Sequence, residues 1–518
     1  MILGDPRSGR AKSGPETTID QIFRRAAALR PDAVAISDPL DRETFTDGAP
    51  RRLTFAETDR IVSAIAARLR KLGLQTDAVV GIQLPNTAEC VLTMLGVIRA
   101  GMIAAPLPLL WRRADASHAL NQLGAKAIIT SSRIGEVDHC ELAMRVAADV
   151  FPIRYVCGFG QKLADGVVPF DDLLAPAAKE TPPEVTRAGN PAAHVAVVTW
   201  DVTPEGPIAV ARNHTEFIAG GVTALLEGSL GPDTRLLACC SMMSFAGLSL
   251  SMTPWLLAGG TLSLHHAFSA ETLDLQCRLD RCNAIALPAA LAPRLADAGL
   301  LNHPDLKCVL ALWRMPERLM ASATWKHPRA RLVDLMAFGE IALLGSRRDV
   351  VGRPDPLPAG EVMVPRGAAN AVLLAEVART QAGTLALRGP MVPKRAFPPG
   401  AERHNLPHLK TDTQNFVDTR YACRADRGSD TFVVTAPPPG LVTVGGYRFA
   451  LSELESTVRQ ASATAMVTAL PDAVAGHRLA GICEDVDAVR TQLTEIGVNP
   501  LVADAFRDRR PKAASRLR

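Results

Sequence analysis

Apolar residues along this chain follow two alternating patterns, one with helical spacing and one of short continuous runs. Helical spacing marks residues 17–30 and 55–72, and Thr54 stands where the N-cap of the second helix is expected. Buried strands are predicted between such helices by apolar runs at 33–38, 79–84, 104–107 and 125–130. The same alternation is found at 234–240, 249–257, 261–264, 283–287 and 308–312. Repetition of strand, helix and strand on this scale indicates parallel α/β sheets.

The pattern changes after residue 351, where short strands with Gly and Pro turns predict a small β-barrel or sheet. Three prolines and a glycine at 437–440 mark a domain boundary. A small α+β unit follows, with a helix at 451–460 that Ser452 is expected to cap. We therefore predict a large α/β N-terminal domain at 16–439, with two sheet subdomains and a small β-barrel, and a small α+β C-terminal domain at 440–518. Residues 1–15 are polar and predict a disordered lead.

The amino-acid composition limits the classes of binding partner that we expect. A chain of 518 residues is too long to fold around one hydrophobic core. A content of 47% hydrophobic and 21% charged residues is ordinary for a globular protein. The net charge of +4 and the 4% aromatic content favour neither a polyanion partner nor a surface for stacking bases, so no nucleic-acid partner is expected. The basic run at 507–518 is interpreted as a solvated tail.

Targeting and cysteine signals are weak. The ten cysteines contain no Cys-x-x-Cys pair, so neither a disulfide framework nor a metal cage is expected. The N-terminal residues lack an apolar signal segment. The most apolar long window, at 91–110, is interrupted by Arg99 and two prolines and is too short to span a membrane. We expect no integral membrane segment and a reduced, cytoplasmic location.

The segment at 195–214 carries the most specific chemistry. An apolar strand at 195–198 leads into a turn-rich stretch at 199–207 and then a second strand at 208–211. Two interpretations are open: a surface hairpin, or a loop that presents N–H groups and hydroxyls to a phosphate. The stretch holds one glycine, two prolines without N–H donors, two acids and no lysine, which favours the hairpin when it is taken alone.

Several segments, in the same order, resemble those of the adenylate-forming (AMP-binding) superfamily, in particular acyl-CoA synthetases. The resemblance covers nearly the whole chain and is carried by LTFAETDRIVSAIAARLRKLGL, VVGIQLPNTAECVLTMLGVIRAGMIAAPL, SMMSFAGLSLSMTPWLLAGGTLSLHHAF, VGRPDPLPAGEV, GTLALRGPMV and VGGYRFALSELESTV. It implies the family's fold, with a small mobile C-terminal domain that is shortened here. It also implies a ligase that uses ATP and Mg²⁺ to convert a carboxylic acid into an acyl-adenylate and transfers the acyl group to CoA, as in fatty acid metabolism.

The resemblance also assigns site residues. Thr199, Thr203 and Gly206 match the phosphate loop, Phe338 and Gly339 the adenine site, Thr419 the ribose site, Glu340 a Mg²⁺ ligand, and Phe245, Gly247 and Ala337 the acyl pocket. In the ribose motif Tyr421 takes the place of the usual Asp, and an alternative alignment uses Thr411 and Asp412 instead. No Asp stands in 241–248 to pair with an ammonium group, so the expected small-molecule substrate is a hydrophobic or aromatic carboxylic acid rather than an amino acid.

Four further positions depart from the family pattern, in addition to Tyr421. In the phosphate loop, Asp201, Pro204 and Ile208 replace two glycines and a lysine, and the family's last catalytic lysine has no counterpart in the C-terminal PKAASRLR. An inactive member that binds acyl groups, nucleotide or a protein partner is therefore the alternative function. We predict weak ATP binding unless the acids are offset by Mg²⁺ or by basic side chains, of which Arg212 and Arg448 are the nearest candidates, and stronger binding after Asp201→Gly with Ile208→Lys.

Overall fold

The computed structural model describes residues 16–178, 180–182, 184–366, 370–426 and 428–507. The predicted disordered lead at 1–15 and nearly all of the basic tail lie outside these residues. The helices within them are α1 Ile19–Leu29, α2 Phe55–Lys71, α3 Ala88–Arg99, α4 Arg113–Leu123, α5 His139–Asp149, α6 His214–Glu227, α7 Phe245–Leu250, α8 Met252–Ala258, α9 Ala270–Leu279, α10 Ala292–Asp297, α11 Leu451–Ala461, α12 Val486–Ile496 and α13 Pro500–Ala503.

The strands of the first half of the chain are mostly short and buried. They are β1 Val34–Ser37, β2 Arg52–Thr54, β3 Val79–Gln83, β4 Ile103–Pro106, β5 Ala127–Ser131, β6 Arg133–Ile134, β7 Val137–Asp138, β8 Tyr155–Phe159, β9 Val168–Pro169, β10 Val195–Thr203, β11 Gly206–Asn213, β12 Arg235–Ala238 and β13 Thr261–Leu264.

The remaining strands continue one parallel sheet and then form antiparallel ones. They are β14 Ala284–Pro288, β15 Cys308–Trp313, β16 Arg331–Phe338, β17 Ala342–Ser346, β18 Leu357–Pro358, β19 Gly360–Arg366, β20 Asn370–Arg379, β21 Thr384–Arg388, β22 Val417–Ala425, β23 Thr431–Ala436, β24 Leu441–Val444, β25 Tyr447–Ala450, β26 Met466–Asp472 and β27 Gly476–Ile482.

Two mainly parallel sheets form the large N-terminal domain. One has eight strands in the order β17-β16-β15-β14-β12-β13-β1-β2, and the other has seven in the order β11-β10-β4-β3-β5-β8-β9. Only β2, β17 and β11, all at sheet edges, run antiparallel to their neighbours. One large apolar cluster connects these sheets with the helices between them. The prediction of an α/β protein with two sheet subdomains is confirmed.

Two antiparallel sheets complete the fold. The region predicted as a small β-barrel is a six-stranded antiparallel sheet in the order β18-β23-β22-β21-β20-β19. After it, β25-β24-β27-β26 form a four-stranded sheet covered by α11 and α12. A separate apolar cluster, which includes Val442, Leu454, Val458, Leu493 and Phe506, fills this small C-terminal domain. Among the described residues, no helix is both long enough and apolar enough to cross a bilayer.

Of the two predicted helix caps, one is confirmed and the other is wrong. The Thr54 side chain accepts the Glu57 N–H and the Glu57 side chain accepts the Thr54 N–H, as predicted for α2. For α11 the prediction is wrong, because the helix begins at Leu451 and its N-cap is Ala450, which has no side-chain oxygen. Ser452 lies inside the helix, where its Oγ reaches the Pro204 carbonyl at 3.5 Å instead.

The single helix predicted at 249–257 is also wrong, because the chain forms two short helices, α7 and α8, that meet at Ser251. The Ser251 backbone is not helical, with φ −123° and ψ −82°. Its hydroxyl donates to the Gly247 carbonyl at 2.6 Å, four residues back. Such a bond offers the backbone an alternative to the helical ladder, which accounts for the break.

Candidate ligand-binding site between the two domains

A cavity of about 780 Å³ lies between the N-terminal and C-terminal domains. Its N-terminal walls come from segments at or just after the carboxyl ends of β12, β14, β15 and β16, together with the end of β10. Because parallel strands all end at the same edge of a sheet, these segments converge there, which is where open α/β sheets bind ligands. The C-terminal domain covers the opening with residues 445–448 and 473–475.

The stretch predicted as a turn-rich loop is a tight β-hairpin. β10 and β11 pair from Val195 to the closing pair of Thr203 and Gly206, so only Pro204 and Glu205 form the turn. The Thr203 hydroxyl is used within this turn, since it donates to the Gly206 carbonyl at 3.0 Å and accepts the Glu205 N–H at 3.3 Å. The interpretation as a hairpin is therefore correct, and residues 199–207 form no open loop around a phosphate.

Asp201 stands on this hairpin at the junction of the two domains. One carboxylate oxygen accepts from Arg448 Nη1 at 2.7 Å, and the other accepts the Glu340 N–H at 3.0 Å. Gly339 leaves room for this contact, because a Cβ there would lie 2.2 Å from Asp201 Oδ2. Arg448 was one of two residues expected to offset Asp201, and the structure confirms that pairing.

The other candidate partner, Arg212, does not pair with either acid. Glu205 is paired with Arg420, at 3.0 Å, on the outside of the hairpin. Arg212 is fully buried, where its guanidinium donates to the carbonyls of Glu340 and Ile341 and lies 3.6 Å above the Phe245 ring. Its hydrogen bonds therefore go to neither acid of the hairpin.

Aromatic groups close the space beside Arg448. The second guanidinium nitrogen of Arg448 donates to the Tyr421 hydroxyl at 2.7 Å. The Tyr421 ring packs edge-on against Phe338 at 5.5 Å, and both side chains are buried. Burial raises the pKa of Tyr421 to about 12, so this hydroxyl is neutral at physiological pH. Phe338, expected to stack on adenine, is covered by Tyr421 in this arrangement.

Glu340 is the buried acid of the cavity wall. One of its carboxylate oxygens accepts the Phe245 N–H at 2.7 Å. Burial raises the pKa of Glu340, nearby Arg314 opposes this, and Asp201 adds to it. Within the described residues, no group of three or more His, Cys, Asp or Glu side chains could hold a metal ion. Glu340 by itself supplies one carboxylate, which suffices for Mg²⁺ only where substrate phosphates complete the shell.

The structure brings together only part of the predicted site. Ala337, Gly339 and Glu340 line the cavity. Thr199, Phe245, Gly247, Phe338 and Thr419 are buried away from its lining, while Thr203 and Gly206 lie at the tip of the hairpin. The Thr419 hydroxyl donates to the Leu385 carbonyl at 2.7 Å, and the alternative ribose residue Asp412 accepts two N–H groups of its own turn. In the closed arrangement these residues do not form a triphosphate site.

Two cavity residues were not singled out from the sequence. Arg314 directly follows β15, and Tyr447 begins β25 with its hydroxyl accepting the Leu110 N–H at 3.2 Å. The signal for Arg314 is its place immediately after a buried parallel strand, the position from which ligand contacts usually come. Tyr447 has no comparable signal, because its role depends on how the two domains meet.

Comparisons with known proteins agree with this fold. Residues 23–200 match the model of the AMP-binding enzyme family. The salicyl-AMP ligase / salicyl-S-ArCP synthetase of Mycobacterium tuberculosis is 25% identical over 96% of this chain and 85% of that protein. The amide bond synthetase McbA from Marinactinospora thermotolerans superimposes with a TM-score of 0.68 over 94% of each chain, at 17% identity, which shows the fold.

The family match over residues 23–200 supports a relationship to the adenylate-forming superfamily, whose fold this chain shares. Among the curated relatives, the medium/long-chain-fatty-acid–CoA ligase FadD6 of Mycobacterium tuberculosis is 26% identical over 50% of this chain. That match spans 40% of the ligase, so it covers less than half of the relative's length. The AMP-binding family that residues 23–200 match uses ATP as its cofactor, usually with Mg²⁺.

Proposed function

We propose that this protein binds a hydrophobic or aromatic carboxylic acid in the interdomain cavity and that it activates the acid with ATP far more slowly than an ordinary superfamily member. The observation that carries the proposal is the division of the cleft. One part is an open cavity of about 780 Å³, whereas the hairpin, Arg448 and Tyr421 fill the part expected to hold the nucleotide.

The open part has the character of a small-molecule pocket. Trp111, Trp200, Met243, Leu312 and Ala337 contribute apolar wall, and the volume lies within the roughly 300–1,000 Å³ typical of ligand pockets. Relatives named as a fatty-acid–CoA ligase and a salicyl-AMP ligase support an aliphatic or aromatic acid as the ligand class. An apolar body with one carboxylate fits these walls best.

The nucleotide part differs from an ordinary ATP site through geometry more than through charge. Two unit charges about 4 Å apart repel by roughly 4 kcal/mol at an effective dielectric of 20, which would penalise a triphosphate beside a bare carboxylate. Arg448 already neutralises Asp201, so this repulsion is largely removed. What opposes ATP is a strand pairing in place of a loop, together with an arginine and a tyrosine in its path.

A second candidate is an acid–thiol ligase that forms acyl-CoA. One observation favours it: the ion pair in the cleft joins the two domains, so a rotation of the C-terminal domain would separate Arg448 from Asp201. In that state the Glu340 carboxylate would be the residue to hold Mg²⁺. Other contacts with ATP would then have to replace the missing N–H donors of the loop and the missing lysine. Losing one such contact typically lowers the rate by about a hundredfold or more.

Two measurements on the same protein test the proposal. Calorimetry with benzoate, salicylate, octanoate and hexadecanoate measures acid binding, and pyrophosphate release with ATP and Mg²⁺ measures activation. We expect at least one acid to bind and acid-dependent pyrophosphate release to stay far below about 1 s⁻¹, an ordinary enzyme rate. A variant with a narrowed cavity, Ala337→Leu, should weaken acid binding, with circular dichroism as the folding control.

Each opposite outcome identifies a different function. Acid-dependent pyrophosphate release at rates of about 1 s⁻¹ or more, ordinary for enzymes, would establish the ligase instead. Failure of every acid to bind the folded protein would contradict both candidates and leave the protein-interaction role expected as the alternative.

A further inference from the structure

Five arginines line the cavity, and most of them are already occupied. Arg348 donates to both oxygens of the buried Asp334, at 2.6 and 3.2 Å. Arg448 is held by Asp201 and Tyr421. These guanidinium groups stabilise the walls of the cavity and have little capacity left for a ligand.

Two other cavity arginines lie near the opening. Arg318 donates to the carbonyls of Asp472 and Gly476, at 2.9 and 2.7 Å, and so connects the N-terminal domain to the C-terminal domain. Arg294 is exposed to solvent at the rim, where a charged contact is weak because water and salt screen it.

Arg314 differs from these four. It is half-buried, and within the described part of the chain its one hydrogen bond goes to Ser244 Oγ at 2.6 Å, with no carboxylate in ion-pair contact. Gly446 of the C-terminal domain lies directly over it, since a Cβ at that position would be 3.3 Å from Arg314 Cδ. A guanidinium carries five N–H donors, so most of the donors of Arg314 are available to a molecule in the cavity.

Ser244 is placed to assist it. The Ser244 hydroxyl oxygen accepts the Gly247 N–H at 3.2 Å, as the N-cap of α7, and also accepts from Arg314. Both contacts use the oxygen as an acceptor, which leaves the hydroxyl proton to donate. Arg314 and Ser244 therefore present several N–H donors and one O–H donor side by side on the cavity wall.

We infer that Arg314 and Ser244 together bind the carboxylate of the acid. This inference rests on the proposed function and names the specificity-determining residues of its site. A planar guanidinium binds a planar carboxylate through two parallel hydrogen bonds, and the contact strengthens where water is partly excluded. Apolar side chains at Met243, Leu312 and Ala337 line the same cavity, so the remainder of the acid would contact them.

The surroundings favour a carboxylate over a phosphate. Glu340 also lines the cavity and carries a negative charge when ionised, whereas the charge of Asp201 is offset by Arg448. Repulsion from Glu340 grows with the charge of the ligand, so a dianion is penalised more than a monoanion. An apolar wall beside a single available guanidinium likewise suits a ligand with one charged end.

The test compares each acid with its neutral amide in wild-type protein and in Arg314→Gln, Arg314→Lys and Arg294→Gln. The probes are benzoate with benzamide, octanoate with octanamide, and inorganic phosphate, measured by calorimetry. We expect the wild type to prefer acid over amide by at least tenfold. Arg314→Gln should weaken the acid by about ten- to hundredfold and leave the amide within about threefold. Arg314→Lys should fall between them, and the rim variant Arg294→Gln should match the wild type.

The outcomes separate the inference from the function on which it rests. If the wild type binds acids and Arg314→Gln keeps the full preference for acid over amide, the inference is overturned and acid binding stands. If phosphate binds more tightly than either acid, the assignment to carboxylates is overturned. If neither acid nor amide binds the folded wild type, the proposed function fails, and the inference fails with it.

Discussion

Gly247 shows how a residue assigned to the acyl pocket by resemblance is placed by packing. It lies in α7, and a Cβ at this position would be 1.8 Å from the Ser241 backbone carbonyl oxygen. Backbone atoms move less readily than the end of a side chain, so no side chain fits here without a shift of the segment before α7. The glycine thus supports the turn that carries Met243 and Ser244 to the cavity wall.

Substitution of Gly247 by Ala should therefore destabilise the fold, by about 1–3 kcal/mol as for other overpacked sites. The measurement is the thermal and urea unfolding of both proteins. Gly345→Ala is the matched control, because a Cβ there meets the flexible Glu227 side chain at 3.3 Å and should be tolerated better. Unchanged stability of Gly247→Ala together with altered acid affinity would instead support the role in the acyl pocket.

Single residues also show which features of the site sequence patterns do not predict. Glu340 and Ala337 were placed near the ligand by a motif that survives in part, and both line the cavity. Tyr421 was recognised as standing in place of an acid, but its packing on Phe338 and its bond to Arg448 depend on contacts between segments far apart in the chain. Motif position specifies a neighbourhood, whereas side-chain partners are set by tertiary packing.

At the scale of elements, the β10–β11 hairpin is the largest departure from the expected site. Ile208, which stands in the place of the family's lysine, pairs with Asp201 across the hairpin and is 5% exposed within the main apolar cluster. The sequence predicts that Asp201→Gly with Ile208→Lys would improve ATP binding. From the structure we expect the opposite, because a lysine at 208 would have to enter the core.

We therefore expect Ile208→Lys to lower the free energy of unfolding by about 3 kcal/mol or more, since a buried unpaired charge is among the most destabilising changes. Unfolding curves at pH 7 measure the effect, and ATP titration should show no gain in affinity. The control is Glu205→Gln at the exposed turn, which should change stability by less than about 0.5 kcal/mol. A stable Ile208→Lys protein that binds ATP would contradict the assignment of a closed hairpin.

The start of α6 predicts a pH dependence. The His214 Nδ1 accepts the Ile19 N–H at 3.2 Å, so the ring connects the beginnings of α1 and α6. Burial lowers the pKa of His214 to about 4, from about 6.5 in an unfolded chain. The folded state therefore resists protonation. The stabilisation is complete above pH 6.5 and is lost as the pH falls towards 4, by up to about 3 kcal/mol.

Replacement of His214 by Asn should reduce this loss of stability at low pH, while it lowers stability at pH 7. Melting temperatures between pH 7.5 and 4.5 provide the measurement, and His404→Asn, at an exposed site, serves as the control. His139 is also buried, with a pKa lowered to about 3. Part of the decrease in stability at acidic pH should therefore persist in the His214 variant. Parallel pH curves for wild type and His214→Asn would exclude the role assigned to His214.

At the scale of the molecule, the order of helices and strands was predictable because it depends on apolar periodicity, which the sequence shows directly. The α/β class, the small C-terminal domain and the α2 cap all follow from such local patterns. The seating of the C-terminal domain was not predictable. It depends on contacts such as Tyr447 with Leu110 and Arg318 with Gly476, whose partners are more than 100 residues apart.

The interdomain ion pair predicts protease sensitivity. We propose the boundary between the domains at 436–440, and Arg448→Ala removes both the Asp201 and the Tyr421 contacts of the neighbouring C-terminal domain. Limited proteolysis should then cut this segment several-fold faster than in the wild type, because the domain detaches more often. Arg459→Ala is the control, since its partner Glu455 lies in the same helix. Equal cutting rates in all three proteins would show that Arg448 does not hold the domain.

Because Asp201 and Arg448 belong to one chain, their ion pair is a competitor that is always present at a high local concentration. A ligand that needs the same space binds only the fraction of molecules in which the pair is open. Its apparent Kd is then the intrinsic Kd divided by that fraction, so an open fraction of about 1% weakens binding roughly a hundredfold. A factor that keeps the C-terminal domain apart from the N-terminal domain would raise the apparent affinity by the same hundredfold, without contacting the ligand. The affinity of any ligand that needs this space would thus measure how often the C-terminal domain is displaced.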